Sequence, residues 1–94
     1  MAYATLSHWT TTEWSDDLEA IARDKFVPLI LGVGAKGVQM IRTGEYSFTV
    51  VTHYENEDAA IAAQEKIAAI RGTAAEELPM SMDSASGGGI FASG

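Results

Sequence analysis

Ninety-four residues make one folding unit, because single domains mostly run from ~50 to ~200 residues. Six Lys and Arg against thirteen Asp and Glu give a net charge of −7, which argues against nucleic acid and anionic membrane surfaces as partners, since both are held by clustered cations. The chain has no cysteine, so disulfides, thiolate nucleophiles and Cys-based metal sites are excluded.

Ala2 to Thr10 reads as a strand, carrying β-prone Tyr3, Thr5, Trp9 and Thr10 without Gly or Pro. Ala2, Ala4, Leu6 and His8 share one face, and Tyr3, Thr5, Ser7 and Trp9 the other. Thr10 to Thr12 and Ser15 offer capping hydroxyls, and Glu13, Asp16, Asp17 and Glu19 follow, where a helix dipole favours negative charge. Trp14, Leu18, Ile21, Ala22 and Lys25 step at three or four, which predicts a helix from about Trp14 to Phe26. Pro28 should kink or end it, with one more turn over Leu29 to Leu31. Gly32 to Gly37 reads as a loop. Val38 to Thr43 and Tyr46 to Tyr54 read as a hairpin about Thr43-Gly44-Glu45, with Phe48, Val50, Thr52 and Tyr54 on one side. Asn56 caps a second helix bearing the apolar stripe Ala60, Ala63, Ile67, Ile70, Ala74 and Leu78, which Pro79 closes. Met80 to Ser86 is a fourth strand. Gly87 to Gly89 permits a redirection, and Ile90 to Ser93 forms a short arm.

The order strand, helix, strand, strand, helix, strand is the split βαβ, ferredoxin-like pattern: an antiparallel sheet ordered 4-1-3-2 with both helices on one face. This α+β domain fills residues 1–94. The opposite sheet face carries no helix, and Trp9, Tyr3, Val51 and Ile41 are expected to populate it. An uncovered apolar face calls for a partner, and a two-fold homodimer packed sheet on sheet supplies one.

With this element order, the Val38–Tyr54 hairpin, the alanine-rich second helix and the Gly-rich end at Gly87–Phe91, the chain resembles the dimeric α/β-barrel superfamily, which includes the antibiotic-biosynthesis-monooxygenase-like proteins. The resemblance implies a dimeric α/β barrel. It also implies a cofactor-independent oxygenase or isomerase acting on a small aromatic or polyketide-like molecule, with a non-catalytic binding or structural homodimer as the alternative. The haem-degrading branch uses a histidine on the second helix, and residues 57–78 contain none.

Gly32-Val33-Gly34-Ala35-Lys36-Gly37 matches G-x-G-x-x-G in letters, but a β-like segment follows it where a dinucleotide site needs a helix to begin. It reads as a connector, and no cofactor is expected. His8 and His53 are the only imidazoles. Each reads either as a proton shuttle or as a half-solvated strand residue, and no carboxylate is spaced to complete a metal centre with them. The expected site lies between the sheet and the helices, with His8 and Tyr54 as catalytic candidates and Trp14, Phe48 and Leu6 as substrate-binding ones. A cavity of ~300 Å³ or more with His or Tyr at its wall favours a ligand site, whereas a packed interior favours a structural dimer. The N-terminus lacks the basic head and long apolar core of a secretory signal. The longest apolar run, Phe26 to Val33, falls short of the ~20 residues that span a bilayer. A cytoplasmic protein without a membrane partner is therefore expected.

Overall fold

The computed structural model describes residues 1–94. Its four strands are β1 (Tyr3–Thr11), β2 (Gly37–Gly44), β3 (Ser47–Tyr54) and β4 (Met80–Gly89). They form one antiparallel sheet ordered β2-β3-β1-β4, so β1 and β3 are central and neighbours. This is the ferredoxin-like arrangement the element order implies.

Residues directly opposite in a ladder share a face of the sheet. One row, Arg42, Phe48, Trp9 and Met82, therefore runs across the helix-covered face. Trp9 and Phe48 are buried there, their rings stacked with centroids 6.0 Å apart and an interplanar angle of 7°. The open face carries the rows Ile41–Thr49–His8–Ser84 and Gln39–Val51–Leu6–Ser86. Tyr3 and Trp9 thus do not populate the open face as expected. Odd-numbered β1 residues point to the helices, where Ser7, Trp9 and Thr11 are buried. Val51 and Ile41 do lie on the open face, and Ile41 is 48 % exposed.

The first helical stretch is continuous past Pro28 and less regular than its sequence suggests. α1 (Asp16–Ile21) is capped by Ser15, whose hydroxyl accepts from the Leu18 N–H at 3.1 Å. It continues through a π-helical segment (Ala22–Phe26) into α2 (Val27–Gly32). Pro28 does not end the helix. It falls at the start of α2, directly after the π-helical segment. Ile30 is buried against the core.

The connector that follows holds the chain's one positive-φ residue, Gly34 at φ +107°. A strand, not a helix, begins at Gly37, so the Gly-rich match is a link between α2 and β2. β2 and β3 meet in a two-residue turn at Glu45-Tyr46, one place later than the sequence reading set it.

α3 (Glu57–Glu77) starts at Asn56, whose Oδ1 accepts from the Ala59 N–H at 2.8 Å, and buries Ala63, Ile67 and Ala74. Its acidic end is not merely solvated: Glu77 pairs with Lys25 of the π-helical segment and ties the helices together at the surface.

Gly87 to Gly89 do not redirect the chain. They complete β4, paired with Thr5, Ala4 and Tyr3. The reason is steric at Gly87. A Cβ there would stand 2.8 Å from the Tyr3 hydroxyl, so the bare backbone makes room for the ring. No helix is long and apolar enough to cross a membrane.

Candidate functional site

The helices do not seal the sheet. A cleft of about 400 Å³ lies between the helix-facing side of the sheet, the α1–π segment and α3. No large side chain in the protein is wholly removed from solvent.

Aromatic rings build its floor. Trp9 stacks on Phe48, and Trp14 meets Phe48 edge-on with centroids 6.0 Å apart at 75°. Both indoles are anchored: Trp9 Nε1 donates to Ser7 Oγ at 2.8 Å, and Trp14 Nε1 donates to Glu19 Oε2 at 2.7 Å. Such anchors fix the orientation of the two indoles at the cleft. The Arg42 guanidinium lies 4.2 Å from the Trp14 ring centroid and donates to the carbonyls of Gly44 and Glu45. The π-helical segment brings Ala22, Arg23 and Phe26 to one wall; α3 brings Ile67, Ile70, Arg71 and Ala74 to another. Irregular helical turns of this kind often sit at functional sites, because they turn side chains that a regular helix would point elsewhere.

A second, smaller recess of about 240 Å³ lies between α3 and the β1–β4 side of the sheet, walled in part by Tyr3, Tyr54, Gln64 and Gly87. Ile67 and Arg71 border both spaces. Tyr54 is buried, and burial raises its phenol pKa above the ordinary value, the nearby Arg71 charge acting the other way. Burial lowers the pKa of Arg71. Arginine nevertheless keeps its charge at any physiological pH.

The expected site residues divide between the two sides of the sheet. Trp14 and Phe48 line the cleft. Tyr54 faces the helices but borders the smaller recess. His8 and Leu6 line neither space. Strand parity sends them to the open face, where Leu6 pairs with Val51. His8 is exposed and its Nδ1 lies 2.8 Å from Thr49 Oγ1. His53 occupies that same face, so the two imidazoles share a side.

The arginines of the cleft were missed. They lie far apart in the chain, and only the fold gathers them. Arg71 alone left a trace: it stands four residues after Ile67 and three before Ala74, inside the apolar stripe of α3. A long cation at that spacing lays its methylene stem along the stripe and carries its charge to the stripe's edge.

No family model and no curated protein matches this sequence. Solved structures do. A dimeric ferredoxin-like protein from an uncultured marine organism superimposes with a TM-score of 0.68 at 12% identity, over 99% of this chain and 97% of that one. A protein of unknown function from Nitrosomonas europaea gives 0.71 at 17% identity, over 99% and 92%. A candidate antibiotic biosynthesis monooxygenase from the same organism gives 0.58 at 19% identity, over 99% and 94%. At such identities the likeness speaks for architecture only. This chain has the ferredoxin-like fold of these proteins, dimeric and antibiotic-biosynthesis-monooxygenase-like examples among them.

Proposed function

We propose that the protein binds a flat, largely apolar small molecule in the cleft between sheet and helices, and that it works as a homodimer through the open face of the sheet. The observation that carries this reading is the cleft itself. About 400 Å³ of space is floored by anchored aromatic rings in a domain of only 94 residues. That volume is in the range of small-molecule sites. A domain this small has little core to give up, so an unfilled centre is costly unless something occupies it. Leu6 and Val51, paired on the open face, with Ile41 in the adjoining row, together with the dimeric fold neighbour, support the homodimer.

The catalytic form of this reading is a cofactor-independent oxygenase or isomerase of a small aromatic or polyketide-like molecule. The neighbour described as a candidate monooxygenase supports it. The alternative is a carrier or sensor that binds without reacting. It is favoured by the walls of the cleft, whose one carboxylate, Glu19, is already engaged by Trp14.

The chain's two tryptophans both line the cleft, so their fluorescence reports on its contents. Titration with naphthamide, a neutral two-ring aromatic, should quench or shift the emission of the native protein. Ala22→Phe, which places a ring into the empty space, should retain a cooperative melt and lose the response. A native protein that binds no two-ring aromatic would remove the ligand-site reading. A response undiminished in Ala22→Phe would place the binding elsewhere.

A further inference from the structure

We propose that the ligand of the cleft is an aromatic carboxylate, and that Arg71 is the cation that receives its carboxylate group. This rests on the reading of the cleft as a ligand site and adds the chemical class of what enters it. The distribution of charge carries it. The chain has a net charge of −7 and three arginines, Arg23, Arg42 and Arg71. All three line this one cleft, and none of the three lysines does. A strongly acidic protein has thus gathered every guanidinium it owns around an aromatic floor.

The three are not equivalent. Arg23 is exposed and already answered by Asp24, with Nε 3.1 Å from Oδ1. Arg42 is spent on the Trp14 ring and on two backbone carbonyls. Arg71 takes part in neither of the protein's ion pairs and in none of its side-chain hydrogen bonds, although it is half-buried among Ile67, Ile70 and Ala74. The ionisable neighbour whose charge acts on it is Tyr54, which is uncharged near neutrality. No carboxylate borders the smaller recess, and Glu19 in the larger one is held by Trp14. A partly desolvated cation without an anion is costly for a fold to maintain. An incoming carboxylate offsets that cost, and it fits the planar guanidinium fork in a bidentate way. Trp9, Trp14 and Phe48 then meet the apolar ring of the same molecule, which is why the class is an aromatic acid and not a free inorganic anion.

The test compares naphthoate with naphthamide, which share a ring system and differ in charge, on the full-length protein by tryptophan fluorescence. The native protein should favour naphthoate by about tenfold, the scale of one charge-assisted hydrogen-bonded contact. In Arg71→Gln the two affinities should converge, with circular dichroism and melting showing an intact fold. Arg71→Lys, which keeps the charge and loses the fork, should fall between. If Arg71→Gln does not fold, Arg71→Lys decides, since it too must narrow the preference. A naphthoate preference that survives both substitutions overturns the role of Arg71. Equal binding of the two compounds by the native protein overturns the carboxylate inference and leaves the cleft as a site for neutral aromatics. Binding of neither compound overturns both.

Discussion

Tyr54 shows how a single side chain ties the site to stability. Its phenol is buried, and that burial outweighs the favourable charge of Arg71, so its pKa in the folded protein lies above the ordinary value of 10.0. Below that value the phenol is neutral folded or unfolded and contributes no pH dependence. Above it the unfolded chain releases the proton first, so stability falls as pH rises toward the folded pKa. Tyr54→Phe should therefore flatten the alkaline loss of stability, measured as urea midpoints across a pH series above neutrality. An equally steep fall in the variant would show that the burden lies on other groups. The residue scale is also where the sequence was least legible. Parity grouped Phe48 with Tyr54, and Trp9 with Tyr3 and Ser7, correctly, but the expectation set Trp9 and Tyr3 on the open face, whereas the ladder puts Trp9 opposite Phe48. Parity could not say which face of β1 looks at the helices, and that choice decides whether His8 and Leu6 belong to the site. The ladder pairs Leu6 with Val51 and so fixes both on the open side.

Among the elements, β1, the hairpin and α3 were readable because alternation, helical stripe and caps agree locally. The first helix was less so, since no residue pattern announces a π-helical turn. Pro28 was expected to kink or end the helix, yet the chain stays helical past it, with the π-helical change of register just before it. β4 was misread for the opposite reason. Three successive glycines look like a hinge, yet here they lie in a strand because Tyr3 needs the space above one of them. This separates two neighbouring substitutions. Gly87→Ala forces the Tyr3 ring to move and should destabilise by about 1–3 kcal/mol. Gly88→Ala meets nothing within 4 Å and should stay within about 0.5 kcal/mol of the native protein. Chemical denaturation of the pair checks this, and equal midpoints would show that the Tyr3 contact carries no weight.

For the whole molecule, overall architecture was more legible than function. The order of elements determined the sheet order, because right-handed crossovers leave few alternatives. Function depends on which distant residues converge, and spacing along the chain does not encode that for three scattered arginines. The open face turned out less apolar than expected, since Trp9 and Tyr3 belong to the other side. Leu6, Ile41 and Val51 remain among threonines, serines and imidazoles. Sedimentation equilibrium at micromolar concentration should still find a dimer, and Ile41→Lys should shift it to single protomers by burying a charge in the contact. A native chain that sediments as one protomer would set the sheet-to-sheet pairing aside.

Ile67 and Arg71 form a party wall, each bordering the larger cleft on one side and the smaller recess on the other. Whatever settles against one side of such a wall constrains the rotamers available to the other. A ligand in one chamber that shifts these side chains would link the two occupancies, and thermodynamic reciprocity would make the linkage equal in both directions. A molecule lodged beside Tyr54 would tune the grip of its neighbour across α3 by the same factor that its neighbour tunes its own.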